Sequence, residues 1–158
     1  MLLVGNKEED FFLIREILER TRTLLTADLD HAHSLEEARA MLAQKNYGLV
    51  LLEHETGAEG VQFLTHFQQA GVPVPFIVLT ENADEATVAE IIDGGGAWNC
   101  VAKSQLDGAT LVRTIRNTLA MYSLQQEHKI AEESLRKLSR AVEQSADMVM
   151  VTDRKSVV

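Results

Sequence analysis

Three side chains are placed where they could do chemistry together: Glu53, Thr80 and Lys103. Each closes a short strand-like stretch, at residues 49–52, 76–79 and 99–102, the first two wholly apolar. Such runs suit strands buried on both faces of a parallel sheet. Open α/β sheets gather their working residues at the carboxyl ends of the strands. A carboxylate, a hydroxyl and an ammonium sharing one crevice form a modest constellation in which Glu53 could be a reactive group or the remnant of one. They could equally form a fixed ion pair beside a strand-end hydroxyl.

The elements that must position them follow from the pattern along the chain. Residues 1–4 read as a first buried strand, ending at the turn-like Gly5-Asn6. Glu8, Glu9 and Asp10 open a helix whose dipole they complement, with Phe11, Phe12, Ile14 and Leu18 as its buried face. Residues 26–32 read as an edge-like second strand carrying Asp28, Asp30 and His31. Ser34 and Glu37 form a capping box for a helix with Ala38, Met41 and Leu42 on its inner side. A strand over 48–52 leads through a loop with Gly57 and Gly60 into a helix bearing Val61, Phe63, Leu64 and Phe67. The stretch 71–75 breaks it, and the strand 76–79 follows. A helix is expected over 83–93, stopped by Gly94, Gly95 and Gly96. A strand over 99–102 precedes a helix that starts after Asp107 with Leu111, Ile115 and Leu119. This alternation predicts an α/β fold with a doubly wound five-stranded parallel sheet and an extended C-terminal helix.

Composition bounds the function. The chain has 158 residues, 46% hydrophobic and 25% charged, with a net charge of −9. That balance argues against a general binder of nucleic acid or anionic membrane. No apolar run reaches the length of a membrane span, and the start lacks the pattern of a signal peptide. Cys100 is the single cysteine, so an internal disulfide is excluded, and a cytoplasmic protein is expected.

Beyond the globular pattern, Met121, Leu124, His128, Ala131, Leu135, Leu138 and Val142 step by threes and fours, the spacing of a heptad seam. The reading is one long helix that pairs with a second copy as a parallel homodimer. The other reading has the stripe folding back on its own domain.

The strand ends and their spacing resemble response-regulator receiver domains, the CheY-like fold with strand order 2-1-3-4-5. The resemblance covers residues 1–123. YGLVLLE is similar to the strand bearing the phosphoacceptor, PFIVLT to the one ending in the switch hydroxyl, and GGAWNCVAKS to the one ending in the site lysine. It implies that Thr80 and Lys103 hold switch positions and that Cys100 stands where an aromatic switch residue is usual. It also implies that Gly5 and Asn6 replace the acidic pair which, with the phosphoacceptor aspartate, holds Mg²⁺ in the family. Glu53 replaces that aspartate. Mg²⁺ wants oxygen ligands in near-octahedral order, anchored by carboxylates, so its binding is expected to be weak or lost. Without it, charge on a transferring phosphoryl group goes unneutralised.

Glu53 then has three readings: an ion pair with Lys103, a nucleophile displaced by one methylene, or a carboxylate imitating a phosphorylated aspartate. Thr80 could serve only its own turn, Cys100 is expected as a small buried apolar residue, and Trp98 is either a partner anchor or a lid. The segment AVEQSADMVMVTDRK resembles the start of a PAS domain, with a strand over 148–152 followed by a turn at Asp153 and Arg154. The expected organisation is a receiver-like domain (1–123), a helical linker (124–145) and a PAS-like start cut short (146–158), within a longer signalling protein. It is expected to be a non-enzymatic, phosphorylation-independent input module contacting other signalling proteins, such as a histidine kinase. The alternatives are a competent receiver phosphorylated at Glu53 and a flavodoxin-like cofactor binder. Against the last, the turn after the first strand lacks a glycine-rich phosphate cradle.

Overall fold

The computed structural model describes the backbone of residues 1–53 and 57–157 and the side chains of 1–53 and 59–142. Five parallel strands, β1 (Leu2–Val4), β2 (Asp30–Ala32), β3 (Val50–Glu53), β4 (Phe76–Thr80) and β5 (Asn99–Ala102), form one sheet in the order β2-β1-β3-β4-β5. Five α-helices connect or follow them: α1 (Glu8–Arg20), α2 (Leu35–Gln44), α3 (Gly57–Gln69), α4 (Glu85–Ala89) and α5 (Gly108–Val157). The expected doubly wound fold is the observed one.

Alternation along the strands divides the core in two. Leu2, Val4, Val50, Leu52, Phe76 and Val78 pack with Ala38, Phe63, Leu64, Phe67 and Ile91. Leu3, Leu51, Ile77, Leu79 and Val101 face the other way, onto Ile14 and Leu18 of α1 and Leu111 and Ile115 of α5. Each fully buried large side chain contributes about 1.5–3 kcal/mol of transfer free energy. The register is set by this burial, because a one-residue slip would turn every strand's apolar set to the wrong face. It aligns Val4 with Leu52, Glu53 with Leu79 and Thr80 with Ala102, so the strand ends that carry the site share one edge.

Local structure departs from the sequence reading at four places. Phe12 is 58% exposed. Each helical residue turns the face by about 100°, so Phe11, Ile14 and Leu18 take the core side and Phe12 stands edge-on to Phe11. The second strand is confined to Asp30–Ala32, since an edge strand has one neighbour and β1 is itself short. The helix expected over 83–93 ends in a π-helical turn, Glu90–Gly94, in which the Gly95 amide donates to Glu90 across five residues. The strand expected over 148–152 is helical, as α5 runs to Val157. A helix satisfies its own backbone groups, whereas a strand needs a neighbour, and all five described strands belong to the sheet above.

The chain divides into two compact units, residues 1–119 and 120–158. In the second unit the apolar seam residues Met121, Leu124, Leu135, Leu138 and Val142 are all well exposed. No helix among the described residues is long and apolar enough to cross a membrane.

Candidate functional site

Glu53 is the last residue of β3, with 1% of its surface exposed. A carboxylate so deeply placed needs compensation, and Lys103, directly after β5, is a cation placed against it. The Lys103 Nζ lies 4.0 Å from Glu53 Oε2, at the outer limit of an ion pair. Its short contact is elsewhere: it donates to Asp10 Oδ2 at 2.7 Å, and Glu81 Oε1 stands 3.4 Å away. The expected Glu53–Lys103 pair is present at that distance, but the ammonium is shared among three carboxylates and makes its short contact with Asp10. Asp10 wins because α1 starts at Glu8, which turns its third residue inward while Glu8 and Glu9 stay exposed.

Burial opposes the charge on Lys103. The hydrogen bond to Asp10 and the charges of Glu53 and Asp10 outweigh it, and hold the ammonium above its ordinary value. Lys7 reaches Glu81 at 3.4 Å and closes the cluster toward solvent.

Gly5 explains how the longer glutamate fits. A Cβ placed on Gly5 would fall on the Glu53 carboxyl carbon and Oε2, and within 2.7 Å of its Cγ. A Cβ at position 5 and the Glu53 carboxyl as it stands cannot both be held, so one of them must shift. The Gly5 backbone is pinned on its other side: its amide donates to Ala32, and its carbonyl accepts from His31 Nε2 at 2.9 Å. The His31 ring stacks on Phe11 with centroids 4.7 Å apart. Asn6, next in line, is exposed.

Thr80, at the end of β4, spends its hydroxyl on its own turn. It donates to the Asn82 carbonyl at 2.8 Å and accepts from the Asn82 amide at 3.3 Å. Cys100 sits opposite Val78 in the sheet and packs on the core, and burial pushes its thiol pKa up, away from the reactive thiolate. Trp98 is half-buried, its amide donating to Phe76.

A cleft of about 720 Å³ adjoins these strand ends, lined by Gly5, Asn6 and Glu53 and by Arg39, Glu59 and Gln62 of α2 and α3. As a donor set for Mg²⁺ the site does not fit. Position 5 carries no side chain, position 6 carries an exposed amide, and the Lys103 ammonium already sits among Asp10, Glu53 and Glu81. Among the described residues no group of three or more His, Cys, Asp or Glu side chains is placed to hold a metal ion.

Sequence reasoning brought Gly5, Asn6, Glu53, Thr80 and Lys103 to one edge correctly. It missed Asp10, Glu81 and His31. Asp10 was signalled only as one of three acidic residues opening α1.

Residues 2–116 match the family described as response regulator receiver domain. The chain belongs to that family, whose members are signalling modules. No curated protein matches it in sequence. Among solved structures it is similar to the signal receiver domain of an HD domain-containing protein from Pseudomonas fluorescens Pf-5. That likeness has 23% identity and a TM-score of 0.68, and covers 80% of this chain and 90% of that one. A response regulator from Thermotoga maritima matches at 16% identity and a TM-score of 0.67, over 75% of this chain and 95% of that one. A fusion carrying amino acids 181–211 of the yeast Spc42 trimeric coiled coil matches at 23% identity and a TM-score of 0.69. It covers 94% of this chain and 97% of that one. At these identities the likeness is one of fold.

Proposed function

We propose that this receiver domain signals without phosphorylation, through protein contacts and through homodimerisation of α5. The observation that carries the reading is the mutual fit of Gly5 and Glu53. It leaves position 5 without the carboxylate that would anchor a hard cation, so Mg²⁺ binding is weak or lost. Phosphoryl transfer depends on positioning and on neutralising the equatorial oxygens, and neither is provided here. Asp10 supports the same reading, because it holds the Lys103 ammonium that would otherwise be available to an incoming phosphoryl oxygen. The Thr80 hydroxyl is likewise engaged by its own turn.

The domain then acts as a fixed, non-enzymatic docking module for other signalling proteins or for other domains of its own chain. Residues 124–145 serve as a helical linker; only the sequence of 146–158 carries the PAS likeness, its expected strand being helical here. The exposed seam from Met121 to Val142 supports pairing with a second copy.

Incubation with acetyl phosphate and Mg²⁺, followed by intact-mass and peptide analysis, tests the phosphorylation-independent part. No stable phosphoryl adduct is expected. An adduct on Glu53, absent in Glu53→Gln, would overturn the reading in favour of a competent receiver. Sedimentation tests the dimer: the full chain is expected to self-associate, and Leu135→Lys with Leu138→Lys to abolish it without loss of fold.

A further inference from the structure

The seam is uneven, and its weak centre has a particular chemistry. In heptad terms Met121, His128, Leu135 and Val142 fall at a positions, and Leu124, Ala131 and Leu138 at d. One heptad, His128 and Ala131, thus offers a polar ring and a methyl where its neighbours offer large apolar groups. The flanking e and g positions are Gln125, Glu127, Glu132, Ser134, Ser139 and Ala141. Only Glu127 and Glu132 among them are charged, and both border the His128 layer.

In one helix His128 Nε2 lies 3.0 Å from Glu132 Oε1, one turn on. When two copies pair in parallel, the g residue of one faces the e residue of the next heptad on the other. Glu127 then faces Glu132 of the second copy, twice by symmetry. Four carboxylates surround two imidazoles, with Lys129 directed away at a b position. Neutral histidines leave the carboxylates to repel across the seam. Protonated histidines place two positive charges among four negative ones and turn the layer from repulsive to cohesive.

We propose that the His128 layer makes self-association of α5 proton-dependent, loosening the paired helix at its centre at alkaline pH and tightening it in mild acid. The inference rests on the homodimer reading above, whose occupant is a second copy of this chain. The layer joins the Met121–Leu124 part of the seam to the Leu135–Val142 part, so its charge state sets whether the seam closes along its whole length.

Sedimentation equilibrium of the full chain at about pH 5.5 and about pH 8 tests this. Association is expected to be about fivefold tighter in acid, the scale of a few surface ion pairs. His128→Gln should remove most of that difference. Glu127→Gln with Glu132→Gln should tighten association at the higher pH and flatten the profile. Equal association at both pH values, or an undiminished difference in His128→Gln, overturns the inference while leaving the dimer intact. A chain that is monomeric at both pH values, with Leu135→Lys and Leu138→Lys without effect, overturns the dimer reading and the inference with it.

Discussion

Gly5 and Glu53 occupy complementary halves of one space: the glutamate carboxyl lies where a Cβ on position 5 would stand. Two of the three positions at which this chain departs from the metal-binding pattern implied by the resemblance, 5 and 53, therefore compete for one space. In its present conformation the longer acid at 53 uses space that the absence of a side chain at 5 leaves open.

Gly5→Ala should consequently destabilise the fold by about 1–3 kcal/mol, the usual cost of overpacking a buried site. Shortening the acid in the same chain, Glu53→Asp, should recover much of that loss. Urea denaturation of the two single variants and the double gives the coupling directly, expected at about 1 kcal/mol or more. Additive effects would show that the two residues do not compete for the same room.

Mg²⁺ should leave the melting temperature of the natural chain unchanged. Gly5→Asp, Asn6→Asp and Glu53→Asp together restore three oxygen donors at the strand ends. That triple variant should gain stability with added Mg²⁺, by about 2.7 kcal/mol at a concentration a hundred times its dissociation constant. Thermal melts across a Mg²⁺ series, with Ca²⁺ as the larger-ion control, read the difference.

Lys103 is 11% exposed and Asp10 22%, whereas Glu81 is 60% exposed. Asp10→Asn leaves a largely buried ammonium with a weakened partner and should cost about 1–3 kcal/mol. Glu81→Gln removes a solvent-screened charge and should change stability by no more than about 0.5 kcal/mol. Paired denaturation curves that reversed this order would exclude Asp10 as the main partner of the lysine.

Alkaline stability should fall in a defined window. Burial first, and then the 2.7 Å hydrogen bond it donates to Asp30, push the Tyr47 hydroxyl up from 10.0 to about 12. Its folded pKa is raised, so its contribution is whole below pH 10.0, where the unfolded chain is also protonated. The contribution is lost as pH rises toward the folded value. Lys103, raised above 10.5, acts in the same direction and is likewise lost only above its ordinary value. Unfolding free energy should therefore start to decline near pH 10.0, and Tyr47→Phe should flatten part of that decline. A difference titration of tyrosinate absorbance between the natural chain and Tyr47→Phe locates the group itself.

Much of the fold was legible because it rests on burial. The apolar runs at 49–52 and 76–79 can serve only as interior strands, and their ends carry Glu53 and Thr80 wherever the helices lie. What was not legible depends on phase and on competition between like groups. Glu8, Glu9 and Asp10 are equivalent as sequence, and only the starting residue of α1 selects Asp10 for Lys103. Phe12 belongs to an apolar pattern but lies outside the arc that α1 can bury. The hydroxyl of Thr80 could serve a cleft or a turn, and a contact two residues away, to Asn82, decides it. Residues 148–152 have the composition of a strand, yet they continue α5 as helix.

The contact between Asp10 and Lys103 also bears on the order in which the molecule assembles. It joins residues 93 positions apart, tying the first helix to the end of the last strand. No other part of the sheet can supply it early, because the loop it closes spans β2, β3 and β4. A contact that closes so long a loop is expected to form late, so its removal should appear on the unfolding limb of a chevron plot, with refolding nearly untouched. The ion pair then works as a latch on the completed sheet, lengthening the lifetime of the folded state without speeding its formation.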